Sequence, residues 1–400
     1  MPVAHRSFDR FLPVFCIFIY VAAATLGAFT GGAWGAIGIG GAVALFLGLS
    51  AAEGKAALPQ RGCAFFTLTV LWVWGAELPF SSHVAVSLAM WLRLASIFLP
   101  LLLLSSKRLQ TVAFSRAFVP TIALAMGIGA VCLGGELISG GFLLHLLKKP
   151  TASLTEYNRG MAHMVILSFP IFAGLWQAGK KKQVALLALA LLFPASLTDS
   201  HTAKLALFVG AVCTGVAFYR PLWVQRGLAG GTIVLMGWPF YAQRIFLAVR
   251  NDLDRLHDSF RHRLEIWDYL SYRIAERPVW GWGLGTTHML DYTKPHGNLY
   301  RFATQAAPHA HNFIVQVWVE TGLVGLAVVL IFLLWILRRI LSLNPSLRPF
   351  ALGGFAAALT VSLFGFDFWT DALWAAFALS AFVFGMLQQG LERGDDFIRA

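Results

Sequence analysis

Charged residues are scarce in this chain of 400 residues. Lys and Arg number 31 and Asp and Glu number 19, so charged residues make up 12% of the sequence, whereas 58% of the residues are hydrophobic. About a quarter of the residues in a soluble globular domain are charged. This composition excludes a soluble enzyme with a single anchor and is typical of a polytopic membrane protein.

Cysteine is also rare, and the common motifs of soluble catalysis are missing. The four cysteines, Cys16, Cys63, Cys132 and Cys213, lie in or beside apolar runs and share no metal-ligand spacing. The sequence therefore predicts neither a disulfide framework nor a zinc site. It contains no Walker motif, CxxC or HExxH, and Gly281-Trp282-Gly283-Leu284-Gly285 follows a helical pattern, unlike a dinucleotide fingerprint.

Twelve apolar runs approach the roughly 20 residues that a helix needs to cross the hydrocarbon core. They cover residues 11–30, 33–51, 63–80, 84–104, 111–134, 160–178, 183–198, 202–219, 227–249, 311–337, 350–366 and 372–389. The seventh run is the shortest and the eighth is also short, and the polar segment 198–204 separates them, so a re-entrant hairpin is an alternative there. The runs predict an all-α polytopic integral membrane protein with about twelve transmembrane helices.

Positive charge is distributed unevenly between the predicted loops. With a cytoplasmic N-terminus, sixteen basic residues fall on the cytoplasmic side: Arg6, Arg10, Lys55, Arg61, Lys107, Arg108, Lys180, Lys181, Lys182, Arg220, Arg226, Arg338, Arg339, Arg348, Arg393 and Arg399. The opposite short loops and span edges hold four, which are Lys148, Lys149, Arg159 and Lys204. By the positive-inside rule both termini are expected in the cytoplasm. The expected organisation is nine spans in residues 1–249, an outer loop 250–310 and three spans in residues 311–400.

The outer loop carries a helical pattern. Apolar residues recur every three or four positions over residues 244–277, which is the spacing of an amphipathic helix broken once or twice. Its apolar stripe is expected to lie on the membrane surface or on the spans beneath it. Pro278 ends this pattern, and Gly281, Gly283 and Gly285 mark a turn-rich connection.

Three potential cations, Arg261-His262-Arg263, stand together within this helical pattern. A guanidinium group is suited to bidentate phosphate binding, so a phosphate site is one interpretation. The alternative is a solvated helix face that pairs with Asp258, Glu265 or Asp268.

The segment Pro308-His309-Ala310-His311-Asn312 stands where the outer loop meets the tenth span. A neutral His at this boundary can accept a proton from an attacking hydroxyl near neutral pH, and Asn312 could orient it or cap the helix. The alternative is an interfacial His that tolerates the headgroup region. Two His at i and i+2 point about 200° apart on a helix, so a metal site is not expected. Glu320, within the same span, needs a hydrogen-bond partner.

Other polar residues are expected on the same outer side. His201 and Lys204 open the eighth span, Arg159 opens the sixth, and Asp367 and Asp371 lie in the last outer loop. Cationic groups gathered from separate parts of the chain suit an anionic headgroup such as a diphosphate. Each of these cations alone is also explained as a topology or snorkelling residue.

The motifs of residues 263–322 resemble those of the bacterial O-antigen ligase and O-antigen polymerase superfamily. They are Arg263-Leu264-Glu265-Ile266-Trp267, then Glu276-Arg277-Pro278-Val279-Trp280-Gly281-Trp282-Gly283-Leu284-Gly285, and then His311-Asn312 with Glu320-Thr321-Gly322. Their order, the long outer loop and the twelve predicted spans agree with that superfamily as well.

The resemblance implies a glycosyltransferase of the bacterial inner membrane with a periplasmic active site. Such proteins move a glycan from undecaprenyl diphosphate, and in the ligases the acceptor is a sugar hydroxyl of the lipid A-core. The reaction inverts the anomeric centre and requires no nucleotide, metal or other cofactor. The resemblance implies substrates carried by membrane lipids and no nucleic-acid partner.

The family's residue roles can be carried over to matching positions. The catalytic His falls on His311, as general base, and the loop Arg falls on Arg263. A further family Arg falls near residues 200–201, where this chain offers His201 or Lys204. These cations, with Arg159, would bind the diphosphate and stabilise its charge as it leaves. Supporting roles are implied for Asn312, Glu320, His309, Arg261 and Trp267, and replacement of Arg261 is expected to be milder than replacement of Arg263.

Three alternatives to an O-antigen ligase remain. An O-antigen polymerase and a protein O-oligosaccharyltransferase share the superfamily and differ in the acceptor. The alternative from another class is a transporter of lipid-linked glycans, which should concentrate polar groups near the membrane midplane and often shows inverted repeats. In this sequence the polar groups gather at one face, which favours an enzyme.

Overall fold

The computed structural model describes residues 2–30, 32–53, 57–146, 157–290, 296–302 and 309–394. Within these ranges the chain forms α-helices and short 3₁₀ turns without a β-strand, which confirms the predicted all-α class. The helices are α1 (Pro2–Phe29), α2 (Ala33–Glu53), α3 (Arg61–Ala76), α4 (Val84–Leu102), α5 (Lys107–Ala113), α6 (Phe118–Ile138), α7 (Phe142–Leu146), α8 (Tyr157–Gln177), α9 (Lys181–Leu197), α10 (His201–Tyr219), α11 (Pro221–Leu235), α12 (Trp238–Ala248), α13 (Asp258–Glu276), α14 (Phe313–Ile340), α15 (Arg348–Phe364) and α16 (Asp371–Glu392). Among the residues discussed above, Lys55, Lys148, Lys149, Pro308 and Arg399 lie outside the described residues.

Nine helical segments in the described part of the chain are long and apolar enough to cross a membrane. They contain α1, α2, α3, α4, α6, α8, α10, α14 and α16. Helices α9 and α15 have 17 residues each, about 26 Å at 1.5 Å per residue, slightly less than the roughly 30 Å hydrocarbon core. The polytopic character is therefore confirmed, with fewer full-length spans than the twelve apolar runs suggested.

Two of the predicted runs are broken in the structure. The run 111–134 divides between α5 and α6, with Phe114 in an extended conformation between them. The run 227–249 divides at residues 236–237 into α11 and the eleven-residue α12, which has a proline in its first turn. Proline cannot donate the backbone hydrogen bond that would continue a helix through this point.

Helix α8 lies at the centre of the bundle. Every residue from Gly160 to Leu175 is buried, and the helix contacts α1, α6, α9, α10, α15 and α16. A helix that is apolar all round is expected inside a bundle and not at its lipid-facing surface.

Helices α10 and α15 approach each other closely at a pair of glycines. A Cβ placed on Gly353 would lie 2.6 Å from the Gly210 carbonyl oxygen, and one on Gly210 would lie 2.9 Å from the Gly353 carbonyl oxygen. Small residues permit such close packing between membrane helices. Because α9 packs mainly on α6 and α10 mainly on α15, the structure favours two separate helices over a re-entrant hairpin.

The predicted amphipathic segment is helix α13, preceded by α12 and a 3₁₀ turn at Leu253–Arg255. It packs between α12 and α14, and its residues are buried continuously from Leu264 to Ser271. Of the two expected positions for the apolar stripe, the structure therefore supports packing on the spans over the membrane surface. In the buried stretch, Glu265 accepts the amides of Arg301 and Phe302, and Asp268 Oδ2 accepts from the Tyr300 hydroxyl.

Helix α14 is interrupted at Gly322, whose φ is 64°. The segment that follows α13 fills the break: the amides of Trp282 and Gly283 donate to the carbonyl oxygens of Val319 and Glu320, each at 2.8 Å. In return, the Leu323 amide donates to the Pro278 carbonyl oxygen at 2.8 Å. Backbone groups freed by a helix break at membrane depth must be satisfied inside the protein, and this exchange does so.

Candidate active site

His311 lies one residue before the N-cap of α14, and its backbone is left-handed. Its φ of 51° is the one positive φ of a non-glycine residue among the described residues. Such a conformation costs an L-residue roughly 1–2 kcal/mol and is often found at functional sites. The residues on either side of His311 are fixed by hydrogen bonds. Trp267 Nε1 donates to the Ala310 carbonyl oxygen at 2.8 Å, and Asn312 caps the N-terminus of α14.

The imidazole of His311 has a defined hydrogen-bond partner. Its Nδ1 lies 3.0 Å from the carbonyl oxygen of Gly365, in the loop between α15 and α16. A carbonyl can only accept, so Nδ1 carries the hydrogen and Nε2 is left with a lone pair. Burial lowers the pKa of His311 to about 3, and the charges of His309, Arg263 and His262 act in the same direction. The side chain is therefore a neutral imidazole at neutral pH.

Two further histidines lie near His311. The ring centroid of His309 is 4.0 Å from that of His311, and the centroid of His262 is 6.2 Å away. Burial lowers the pKa of both His309 and His262. The structure thus brings together three imidazoles, two from the loop before α14 and one from the first half of α13.

Arg263 supplies a positive charge to this cluster. Its Nη1 donates to Ser259 Oγ at 2.9 Å, whereas its buried Nε has no hydrogen-bond partner. Within the part of the chain that the structure describes, no carboxylate forms an ion pair with it. Burial lowers the pKa of Arg263, but a guanidinium keeps its charge in proteins. Arg263 is a partly buried cation with a free donor.

Arg159 and Asp367 approach the same cluster from other helices. The Arg159 guanidinium lies 5.7 Å from the Phe366 ring centroid, next to Gly365 in the sequence. The Arg159 charge lowers the pKa of His309, whereas that of Asp367 raises it. Asp367 is held by Gln316 Nε2, which donates to its Oδ1 at 2.6 Å. The predicted convergence of distant segments is therefore present for Arg159, Arg263, His309 and His311.

The start of α10 is adjacent to this cluster, although its cations are less closely engaged. Thr202 Oγ1 donates to the Phe364 carbonyl oxygen at 2.8 Å, one residue before Gly365. The ring of His201 lies 5.8 Å from that of His257, just before α13. Lys204 makes no hydrogen bond or ion pair with the described residues. His201 therefore lies near the N-terminal end of α13, and no hydrogen bond or ring contact joins His201 or Lys204 to His311 among the described residues.

Arg261 has a structural role that differs from that of Arg263. It is buried, and its Nε donates to Glu265 Oε1 at 2.9 Å, while a second nitrogen pairs with Asp254. Glu265 also accepts the backbone amides of Arg301 and Phe302. The alternative of a pair with Glu265 is therefore observed for Arg261, in a buried site instead of on a solvated face. This revises the expectation of a mild effect for Arg261, because removing one partner of a buried pair leaves an uncompensated charge.

Glu320 and Asn312 also serve the architecture of the site. Glu320 accepts hydrogen bonds from the Gly285 amide, Thr287 Oγ1 and Trp369 Nε1, so its required partners are present. Asn312 Oδ1 accepts from the amides of Ile314 and Val315 at 2.9 and 3.2 Å and caps α14. Of its two predicted roles, the structure therefore supports the cap.

The sequence indicates His262 only as one of three potential cations and Asp367 only as an outer-loop residue, and it gives no indication of Gly365. The position of His262 beside Arg263 is a signal that the sequence does contain. The carbonyl of Gly365 leaves no such signal, because any residue has a carbonyl oxygen and only the fold places this one against His311.

The cluster can act as a base beside two fixed positive charges. The Nε2 lone pair of a neutral imidazole can accept a proton, and the guanidinium groups can stabilise an anion formed nearby. Among the described residues, no group of three or more His, Cys, Asp or Glu side chains is arranged to hold a metal ion.

Comparison with known proteins matches part of this chain. The family model described as O-antigen ligase matches residues 184–330, which run from α9 into the middle of α14 and include Arg263, His311 and Glu320. Similar proteins are provisionally named polysaccharide ligases in Rickettsia conorii (26% identity over 251 residues), Rickettsia bellii (26% over 248) and Rickettsia felis (25% over 245).

Each of these alignments covers 58% of this chain and 58% of the relative. The chain is therefore matched over somewhat more than half the length of these proteins. The family match and the names of the relatives confirm the resemblance that the motifs indicated. Over the matched residues the chain is similar to O-antigen ligases and polysaccharide ligases.

Proposed function

We propose that this chain is an O-antigen ligase that moves a glycan from undecaprenyl diphosphate to a sugar hydroxyl of the lipid A-core. The observation that carries the proposal is the neutral imidazole of His311 beside Arg263, a cation without a carboxylate partner among the described residues. The polysaccharide-ligase names of the relatives favour a ligase over a polymerase.

In the proposed reaction, the acceptor hydroxyl attacks the anomeric carbon of the donor glycan. The bond between that carbon and the diphosphate oxygen breaks with inversion, and undecaprenyl diphosphate leaves with the electron pair. The hydroxyl proton passes to His311 Nε2. A positioned base contributes roughly 10²–10⁴-fold to such a reaction.

Arg263 and Arg159 would bind the diphosphate, and His201 or Lys204 would extend this positive surface. Charge-assisted hydrogen bonds to phosphate oxygens are stronger than neutral ones, and they stabilise the negative charge that grows on the leaving group. The same ion pairing offsets the positive charges that lower the pKa of His311. Binding of the donor is therefore expected to make His311 a stronger base when the base is needed.

The proposed orientation places the start of α14 and residues 250–310 in the periplasm, with both termini in the cytoplasm and the protein in the inner membrane. The uneven distribution of Lys and Arg supports it. Donor and acceptor would then meet in one leaflet, where two lipid anchors raise their local concentration and restrict their orientation.

Transfer by the purified protein tests this function. A carrier-linked glycan is supplied with three separate acceptors: lipid A-core, a second carrier-linked glycan and a Ser/Thr peptide. We expect transfer to lipid A-core that persists in excess EDTA. Transfer to the second carrier-linked glycan alone would indicate a polymerase, and transfer to the peptide alone would indicate a protein O-oligosaccharyltransferase. Transport of the carrier-linked glycan without any transfer would indicate a transporter.

A further inference from the structure

A pocket of about 580 Å³ lies at the opposite end of the molecule from His311. It is lined in part by Arg61 at the start of α3, Lys107 at the start of α5 and Arg339 near the end of α14. His311 lies just before the first residue of α14 and Arg339 is close to its last, so nearly all 28 residues of α14, in two helical segments that meet at Gly322, separate the two sites. The pocket is therefore independent of the proposed active site.

The polar lining of the pocket has one sign of charge. Arg61, Lys107, Arg108 and Arg339 all line it, together with the hydroxyl-bearing Ser106, and no Asp or Glu is among the described lining residues. No ion pair with a described carboxylate neutralises Arg61, Lys107 or Arg339. Three separate helices thus direct positive charge into one cavity, which is more than a general excess of Lys and Arg at a membrane face requires.

Apart from Gln60, the remaining lining is apolar, and it continues into an exposed apolar surface. Leu58, 73% exposed, and the ring of Trp335 line the pocket. The Trp335 ring contacts Phe66 with 4.6 Å between ring centroids, and Phe65, beside Phe66 on α3, is 65% exposed. An acyl chain could therefore lie along α3 and α14 while its headgroup enters the pocket.

We infer that this pocket binds the phosphate of an anionic phospholipid. Lys and Arg near a membrane surface each contribute about 1 kcal/mol to the attraction of anionic lipid, and Arg adds bidentate hydrogen bonds to phosphate oxygens. A soluble phosphate would use the same cations but would gain nothing from Leu58, Trp335 and the apolar surface beyond them.

The test uses delipidated full-length protein and native mass spectrometry. Phosphatidylglycerol and phosphatidylcholine are titrated separately against the parent and against the triple variant Arg61→Gln, Lys107→Gln, Arg339→Gln. We expect the parent to prefer phosphatidylglycerol and the triple variant to bind it about one to two orders of magnitude more weakly. Retention of phosphatidylglycerol by the triple variant at the parental level would overturn the inference.

A matched control removes the same charge elsewhere. The triple variant Lys180→Gln, Lys182→Gln, Arg226→Gln changes residues at the start of α9 and in α11, outside the pocket, and should bind phosphatidylglycerol like the parent. An equal loss in the control would mean that overall charge, and not the pocket, attracts the lipid. Displacement of phosphatidylglycerol by an equal concentration of inorganic phosphate would assign the pocket to a soluble anion instead.

A second measurement does not depend on removing the cations. Phosphatidylglycerol brominated near the start of its acyl chains should quench the fluorescence of Trp335. The fraction of tryptophan fluorescence that is quenched should therefore be smaller in Trp335→Phe than in the parent. The brominated phosphatidylcholine should give no such difference. Identical quenching of the parent and Trp335→Phe by the anionic lipid would show that the pocket is empty.

Discussion

His311 Nδ1 donates a hydrogen bond to the Gly365 carbonyl oxygen across 3.0 Å, joining the loop before α14 to the loop between α15 and α16. The bond fixes both the tautomer and the direction of the ring. Nε2 is thereby left as the acceptor. The left-handed backbone of His311 lies between Ala310, whose carbonyl accepts from Trp267, and Asn312, which caps α14. The arrangement leaves a neutral imidazole with an accepting Nε2 before any substrate binds.

The pH dependence of transfer should report this environment. Because the pKa of His311 is lowered to about 3, its imidazole stays neutral as the pH falls through 6.5. In the pH profile of kcat/KM, the fall in activity on the acid side should therefore lie well below pH 6.5. Arg263→Gln removes a charge that lowers this pKa, so its acid limb should move to higher pH. An acid limb at 6.5 or above, unchanged in Arg263→Gln, would contradict the assignment.

Arg263 and Arg261 should give different defects when they are replaced. Arg263→Ala should raise the donor KM more than Arg263→Lys, because alanine removes the cation whereas lysine keeps a point charge without the planar fork. Its unfolding temperature should stay near that of the parent, because no described carboxylate depends on it.

Arg261→Ala should instead lower the stability of the protein. Loss of one partner of a buried ion pair costs roughly 3–5 kcal/mol, and Glu265 would lose its cation. Thermal unfolding in detergent, measured for both alanine variants, separates the two roles. A stable Arg261→Ala protein together with an unfolded Arg263→Ala protein would reverse the assignment.

Gly322→Ala should disrupt the packing of the outer loop on α14. A Cβ at this position would lie 2.0 Å from the Val279 carbonyl oxygen, and the φ of 64° disfavours any side chain. We expect a lower unfolding temperature and loss of transfer. Gly127→Ala is the matched control, because it lies in α6 with no atom within 4 Å of the added Cβ, and it should be at least as stable as the parent.

Cysteine labelling tests the proposed orientation. In a background without the four native cysteines, a cysteine at Asn298 should react with an impermeant reagent from the periplasmic side, and one at Arg226 only after the membrane is opened. The opposite pattern would place the His311 cluster in the cytoplasm and remove the lipid-linked donor from its reach.

The sequence was informative where one physical requirement dominates. Long apolar runs predict the membrane-spanning helices, and the helical period of apolar residues in 244–277 predicts α13. Both patterns arise because apolar side chains must be removed from water. The motif glycines predict a turn-rich connection, and the positive φ of Gly281, Gly283 and Gly285 confirms it. A carboxylate at membrane depth was expected to need partners, and Glu320 has three.

Other features depend on contacts between distant parts of the chain. The periodicity of α13 predicts an exposed polar face, but Arg261, Glu265 and Asp268 are buried because Asp254 and residues 300–302 supply their partners. The break in α14 at Gly322 is stabilised by residues 278–283, some 40 positions earlier. Hydropathy alone could not divide the run 227–249, because residues 236–237 and the following proline change the direction of the backbone without interrupting its apolar character.

The central claim is that His311 takes the proton of the acceptor hydroxyl. His311→Asn tests it cleanly, because asparagine tolerates the left-handed backbone and can still donate to the Gly365 carbonyl, but it cannot act as the base. His309→Ala is the neighbouring control and should be milder. Single-turnover transfer at saturating acceptor, with donor binding measured in parallel, should fall by about 10²–10⁴-fold in His311→Asn with donor affinity within a few-fold of the parent. A folded His311→Asn protein that transfers glycan at nearly the parental rate would contradict the account.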